Sequence, residues 1–519
     1  MNASEAERLD LQGFGWLGSF DREGADGDVV HAVALFDFDS YRSLSLARPA
    51  SHVEPVELHL MTPDEMQAYY EKRDREDPDS DFESIAATCR LLRPLMDDLP
   101  LDVMALDMDQ SGRLLWTSTD VDHNPSWSTY YPSVAEYRLQ RPVATVLRSQ
   151  LAVVEYLAGG TDKVLLALPG RNARRNEDGG PVWAFKHAPE SSVWGGHWSE
   201  IQIMAQFPPN RPHLLHLDRL VVEEISGLGV VGFTAPFIPS PSLDRLDPPR
   251  PLKLRWLREL MAVVDELNLE FGILHQDIAA RNLFINPATD AVLLFDFSMA
   301  TGIGYTGPNP YRRPEAARND VKGVVILAYH LVTRDPRYAF YYLDRVDETD
   351  VEDRAKWVSP AGVKLDHDAS VSYDEVMVWA AKRRAGPHIS HYTEAPRHFD
   401  LPEAPDPPED IIVSAEGVDD HLISVHGSLS SRVRAGRPVL SWQRPPGAKV
   451  DKSRRPLATG RYADEEKDMS GIAVPYSKRG FPQPPVENNS NGAAVKVGHG
   501  STVKKRKRRH TPIDSETGE

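Results

Sequence analysis

His275, Asp277 and Asn282 fall within the run H-Q-D-I-A-A-R-N, and Asp296 follows in F-D-F-S. This set of side chains suits phosphoryl transfer from ATP. That chemistry needs one carboxylate beside the attacking hydroxyl, and a second carboxylate with an amide to hold Mg²⁺ on the phosphates. On this assignment Asp277 orients the hydroxyl and accepts its proton, while Asn282 and Asp296 ligate the metal. The alternative is a chance His/Asp pair on a surface loop, and the flanking pattern weighs against it.

Ahead of the loop, Leu257, Leu260, Met261, Val264 and Leu267 recur at helical spacing among charged residues, and Gly272 ends the helix. After Asn282, Leu283-Phe284-Ile285 and Val292-Leu293-Leu294-Phe295 read as two short strands joined by the turn 286–290. A hairpin there can bring Asn282 and Asp296 close enough to share a metal ion. The order of helix, loop, hairpin and Asp resembles the C-terminal lobe of a protein kinase. So does the Asp-to-Asn step with four residues between. The shortened elements look like divergent, fungal-type kinase-like proteins. The resemblance implies an α+β, two-lobed fold over residues 148–386, with a small β-rich first lobe and a mainly helical, shortened second one. It also implies ATP and Mg²⁺ as cofactors and a protein hydroxyl as acceptor.

Further residues follow from the resemblance. Val182-Trp183-Ala184-Phe185-Lys186 resembles the strand whose lysine contacts the α- and β-phosphates. Glu200, on the next predicted helix, is its expected partner. Ala235-Pro236-Phe237-Ile238 would be the hinge over adenine, contacting it through backbone groups. His275 is given a structural role, and so is Asp320, which should bond back to the catalytic-loop backbone or cap its own helix. Glu315, in a Pro-Glu pair, should meet Arg383 or Arg384. Gly159 and Gly160 stand where a phosphate-covering loop belongs. Two glycines allow close backbone approach to a phosphate, but they are equally a plain hairpin turn. Gln276 replaces the usual Arg before the catalytic Asp, which argues against control by a phosphorylated activation segment. Ser298 replaces the usual Gly after Asp-Phe. Arg281 stands where tyrosine kinases carry Arg and could stabilise the transferring phosphate, so the loop leaves the acceptor class open between serine/threonine and tyrosine.

The 519-residue chain carries a net charge of −18, which argues against nucleic acid as a bulk electrostatic partner. Its single cysteine, Cys89, excludes a disulfide framework and a cysteine zinc site. No apolar run is long enough to span a bilayer, and the polar, acidic start is unlike a secretory signal, so an intracellular, soluble protein without a membrane partner is expected. Residues 1–147 form an α/β segment of unknown role, with a strand at 29–36 and a helix start at Thr62-Pro63. Asp107 to Gly112 opens like an EF-hand, but Ser118 stands where the bidentate Glu belongs, so a hairpin is predicted. Residues 387–519 are Pro-rich and expected to be largely disordered. Within them, Lys504, Lys505, Arg506, Lys507, Arg508 and Arg509 form a basic run that an import receptor could read as a nuclear signal. An active protein kinase is the first expectation. A pseudokinase binding scaffold and a small-molecule kinase are the alternatives, and fold analogy alone does not choose among them.

Overall fold

Strand-forming runs dominate the first half of the chain and helix-forming runs the second. The computed structural model describes most of residues 14–47 and 87–405, with interruptions of which the longest is 167–180. Beyond 405 it describes only 425–428 and scattered residues between 440 and 462. The helix start expected at Thr62, the turn glycine Gly159 and the basic run 504–509 lie outside the described residues. The architecture is mixed α+β.

Strands β1 (Phe14–Glu23), β2 (Val29–Asp37), β3 (Arg42–Ala47), β4 (Ala105–Met108) and β5 (Leu114–Ser118) form a five-stranded sheet in sequence order. Only β3 and β4 pair in parallel. Alternate residues Val33, Leu35, Leu44 and Leu46 share a separate core with Cys89, Leu92, Met96 and Leu106, as the period of two along a strand requires. Between β4 and β5 the expected hairpin forms. The Asp109 carboxylate accepts from the Ser111 amide (2.9 Å), the Ser111 hydroxyl (2.6 Å) and the Arg113 amide (3.0 Å), so the turn consumes the oxygen a calcium loop would have used.

The second sheet carries Lys186. After β6 (Trp127–Thr129), which pairs with a distant strand at Val425–Ser428, come β7 (Ala144–Leu147), β8 (Leu151–Ala158), β9 (Thr161–Leu166), β10 (Val182–His187), β11 (Arg219–Val222) and β12 (Val230–Pro236). Their spatial order is β7-β11-β12-β10-β9-β8. The helix α1 (Trp194–Met204) follows β10. Then come α2 (Leu254–Asp265), the strand β13 (Ile273–Leu274), the hairpin β14 (Leu283–Ile285) and β15 (Val292–Leu294), and β16 (Thr301–Gly302), which pairs with β13. Helices α3 (Asp320–Thr333) and α4 (Ala369–Ala385) close the order. The predicted stripe on α2 is buried: Leu257, Leu260, Met261, Val264 and Leu267 all lie in the main core with α3. A π-helical turn, Glu266–Phe271, continues α2 and carries Leu267, and Gly272 caps it at φ +71°, the left-handed conformation that glycine adopts without a Cβ penalty. The expected helix near 373–384 is α4.

Both expected boundaries of the central unit move outward. At the start, β7 pairs in parallel with β11, and Tyr137 stacks on Trp198 with ring centroids 4.3 Å apart. The Val230 amide donates to the Pro132 carbonyl (2.8 Å). A cut at residue 147 would remove an edge strand and core aromatics that local patterning did not assign there. At the other end, Phe399 and Leu401 are buried in the main core, so the chain is not an open tail immediately after α4. Further on, Ala458 belongs to a small cluster with Leu151, Val153 and Phe185 on the second sheet, and its amide donates to the Leu151 carbonyl (2.7 Å). Limited proteolysis of the full chain should leave 388–405 attached and uncut, because its backbone is hydrogen-bonded to the core. Early cleavage inside 388–405, read by mass spectrometry, would contradict that packing.

Candidate active site

Position along β10 decides which side chains face inward. Lys186 lies opposite Phe233 of β12 and Ala184 opposite Ala235, and directly paired residues of an antiparallel ladder share a face. From that face the Lys186 ammonium reaches two carboxylates. It contacts Glu200 of α1 at 2.8–2.9 Å and Asp296 at 2.7 Å. The Glu200 side chain is only 1 % exposed and also accepts the Phe297 amide (3.1 Å), so it joins β10 to the segment after β15. Lys186, Glu200 and Asp296, expected from separate stretches of sequence, therefore meet.

Burial and charge set the state of this trio. Burial pushes the Glu200 carboxyl up to about 7, even with Lys186 beside it. Burial also opposes a charge on Lys186, but Asp296 and Glu200 outweigh it and hold the ammonium well above the usual lysine range. Asp296 goes the other way. Burial opposes its charge, yet Lys186 and the Ser298 hydroxyl hold its carboxyl well below the usual range. The Ser298 bond to Asp296 Oδ1 (2.8 Å) was not legible in the sequence, where Ser298 stood only as a replacement for the usual Gly. Asp296 sits at φ +64°, a left-handed conformation uncommon for a residue with a side chain, and these two donors fix its carboxylate there.

The loop 275–282 is built on two anchors. The buried Asp320 carboxylate at the start of α3 accepts the amides of His275 and Gln276 (2.8 Å each) and the Asn268 side chain (2.9 Å). Burial pushes its carboxyl up. Asn319, not Asp320, caps α3, accepting from Val321 and Lys322. Of the two roles expected for Asp320, the structure gives it the bond to the loop. The second anchor is His275, fully buried, with Nε2 at 3.1 Å from the Phe295 carbonyl and Nδ1 accepting the Asp277 amide (3.3 Å). These contacts assign its ring proton to Nε2.

Asp277 is held on both oxygens, by an ion pair with Arg281 on Oδ1 and by the Asn282 amide at 2.6 Å on Oδ2. Asn282 spends both of its amide protons on Asp277, one on the carboxylate and one on the carbonyl at 2.9 Å. Its Oδ1 accepts nothing from the described residues, nor does Asp296 Oδ2. Both are hard oxygen donors of the kind Mg²⁺ takes. No cluster of three or more His, Cys, Asp or Glu able to hold a metal occurs among the described residues.

Gln276 has a place that sequence reasoning missed. It sits at φ +63°, buried, with Nε2 donating to the Met299 carbonyl (2.7 Å) and Oε1 accepting the Glu315 amide (2.6 Å). A neutral amide thus fastens both ends of the segment between Asp296 and Glu315.

One expectation, the partner of Glu315, is corrected here. The Glu315 carboxylate pairs with Arg318, three residues on (2.8 Å). Arg383 turns to Asp265 of α2 (2.9 Å), and Arg384 to Glu348 and Glu352, so neither reaches Glu315. At the expected hinge, the Phe237 amide donates to the Val182 carbonyl (3.2 Å) and is not free for a base. Ala235 is buried on the inner face, and the Ile238 amide carries no hydrogen bond among the described residues. Finally, only two residues separate β8 from β9, and β9 already pairs Thr161 with Lys186. Gly160, at φ +67°, gives its carbonyl to the His187 amide (2.8 Å). The turn ends level with Lys186, as a plain hairpin would.

Among the described residues no helix is long and apolar enough to cross a membrane. No protein-family model matches the chain, and no curated protein matches it.

Proposed function

We propose that this chain is an Mg²⁺- and ATP-dependent phosphotransferase with a two-lobed, protein-kinase-like arrangement, acting on a protein hydroxyl of the serine/threonine kind. The observation that carries the proposal is the meeting of Lys186 and Glu200, from consecutive elements, with Asp296, 110 residues after Lys186, beside a loop in which Asn282 holds Asp277. ATP and Mg²⁺, when bound, supply the phosphoryl group and the cation that neutralises its charge. Lys186 would bind the phosphates and be kept in place by Glu200. Asp296 Oδ2 and Asn282 Oδ1 would hold the metal. Asp277 would orient the acceptor hydroxyl and take its proton, while Arg281, paired with the Asp277 carboxylate, would stabilise charge on the transferring group. The Ile238 amide, which carries no hydrogen bond among the described residues, would be the hinge donor to a purine.

The short turn at Gly160 supports a second reading, a scaffold that binds nucleotide weakly or without turnover, because among the described residues that turn ends level with Lys186. Asp296→Asn tests the metal assignment. It should weaken Mg·ATP binding by at least about tenfold, ~1.4 kcal/mol, while metal-free ATP binding holds or rises as Lys186 is released. Calorimetry with Mg²⁺ and with a chelator separates the two. Equal losses in both conditions would remove Asp296 as a metal ligand.

A further inference from the structure

The chain after α4 does not leave the molecule. Residues 388–405 run back past Gly272 and Gly302–Gly304 to Trp198 of α1. Close approach begins at three glycines. A Cβ on Gly272 would lie 2.7 Å from the Tyr392 carbonyl oxygen, one on Gly302 2.8 Å from the Tyr392 ring, and one on Gly304 2.2 Å from the Ser390 carbonyl oxygen. Gly272 and Gly304 also have positive φ, so these positions are shaped for a passing backbone. The Tyr392 amide donates to Ile303 (2.7 Å) and the Arg397 amide to Glu270 (2.9 Å).

Beyond these contacts the segment turns from the segment after Asp296 to α1. Phe399 stacks on Phe271 (4.9 Å) and sets its edge on Phe207 (5.4 Å), just past the end of α1. Gln206 clasps Asp400 twice, donating to its carbonyl (2.7 Å) and accepting its amide (2.9 Å). The Trp198 indole donates to the Pro402 carbonyl (3.4 Å), and Glu403 accepts the Tyr305 hydroxyl. A short route leads from here to the site. Phe207 packs on Phe297 (5.0 Å), and the Phe297 amide is the one that Glu200 accepts.

We infer that 388–405 is an intramolecular strap that keeps α1 seated, so that Glu200 stays on Lys186 without a separate activating partner. Gln206 and Phe399 are its positioning residues. A helix carrying a ligand-orienting carboxylate can move as a rigid body when one face is loosely packed. Here that face is covered by the same chain, through contacts spanning both α1 and the segment that bears Asp296. The functional meaning of the strap rests on the phosphotransferase proposal, but its mechanical role does not.

The test uses the full chain with Gln206→Leu, which removes both bonds to Asp400, and Phe399→Ala, which empties the aromatic contact. Amide hydrogen exchange, read by mass spectrometry, should rise at least about tenfold in α1 and stay unchanged in α3. Mg·ATP affinity should fall about tenfold in the Gln206→Leu chain. Against a Glu200→Gln background the same change should cost little, since the effect passes through Glu200. If Phe399→Ala does not fold, Gln206→Leu alone decides. Unchanged exchange in α1 overturns the strap. So does an affinity loss that is the same with and without Glu200. If the unaltered chain binds no nucleotide, the phosphotransferase proposal falls, and the exchange experiment still decides whether α1 is held by 388–405.

Discussion

Asp277→Asn is expected to lower phosphoryl transfer by about 10²- to 10⁴-fold, the range for loss of a positioned general base, while nucleotide affinity changes by less than about threefold. Asp277 is fixed by Arg281 and by Asn282, and its carboxylate makes no contact with Lys186 among the described residues. An amide of the same shape keeps the packing but cannot accept the proton, and its NH₂ meets donors on both sides. An interaction used only in the transition state lowers turnover and leaves ground-state binding alone. Transfer of labelled phosphate to mixed protein substrates gives the rate, and calorimetry gives the affinity. A parallel loss of both would make Asp277 a nucleotide-binding residue instead. A complete absence of transfer by the unaltered chain, with nucleotide still bound, would favour the scaffold.

Asp320→Ala should destabilise the fold by about 3–5 kcal/mol. Three buried donors, the amides of His275 and Gln276 and the side chain of Asn268, converge on that one carboxylate. Each unsatisfied buried donor costs about 1–3 kcal/mol, and the sum is not additive because the loop can relax. Against a typical stability of about 5–15 kcal/mol, such a loss lowers the urea midpoint strongly or prevents folding. Asp320→Asn keeps one acceptor oxygen and should lose roughly half as much. A cost under about 1 kcal/mol for the alanine variant would mean that the loop is anchored elsewhere.

What was legible in the sequence is what has a local period or a fixed spacing. The stripe along α2, the hairpin of β14 and β15 and the loop from His275 to Asn282 follow from residues within a turn or two of one another, or from motif spacing, whereas the bond from Asp320 was expected from the resemblance alone. Lys186 and Glu200 were expected only from the resemblance, which a strand ending in Lys and a following helix with a Glu could carry. Features made by distant partners were not. Phe399 and Leu401 sit in a Pro-rich stretch whose average composition argues for disorder, yet two buried side chains and a handful of backbone bonds are enough to fasten it. Glu315 could take a nearby arginine, Arg318, as readily as a remote one, and spacing alone does not rank them. Ser298 and Gln276 looked like losses relative to the kinase pattern, but each makes bonds that the usual residue would not. The edge strand β7 pairs in parallel with β11, a contact with no hairpin signal to announce it.

The route of 388–405 also fixes an order of events during synthesis. Trp198 and Pro402 are 204 residues apart in the chain. At about 5–20 residues per second, the ribosome needs about 10–40 s to go from one to the other. For that interval α1 and Phe207 lack the cover that Phe399 and Pro402 give them, and their apolar surface faces solvent or a chaperone. The contact is also of high sequence separation, so its loop-closure entropy must be met before it returns any stability. The first half of the chain can therefore form its sheets early, while the seating of α1 waits for one of the last described segments to leave the ribosome.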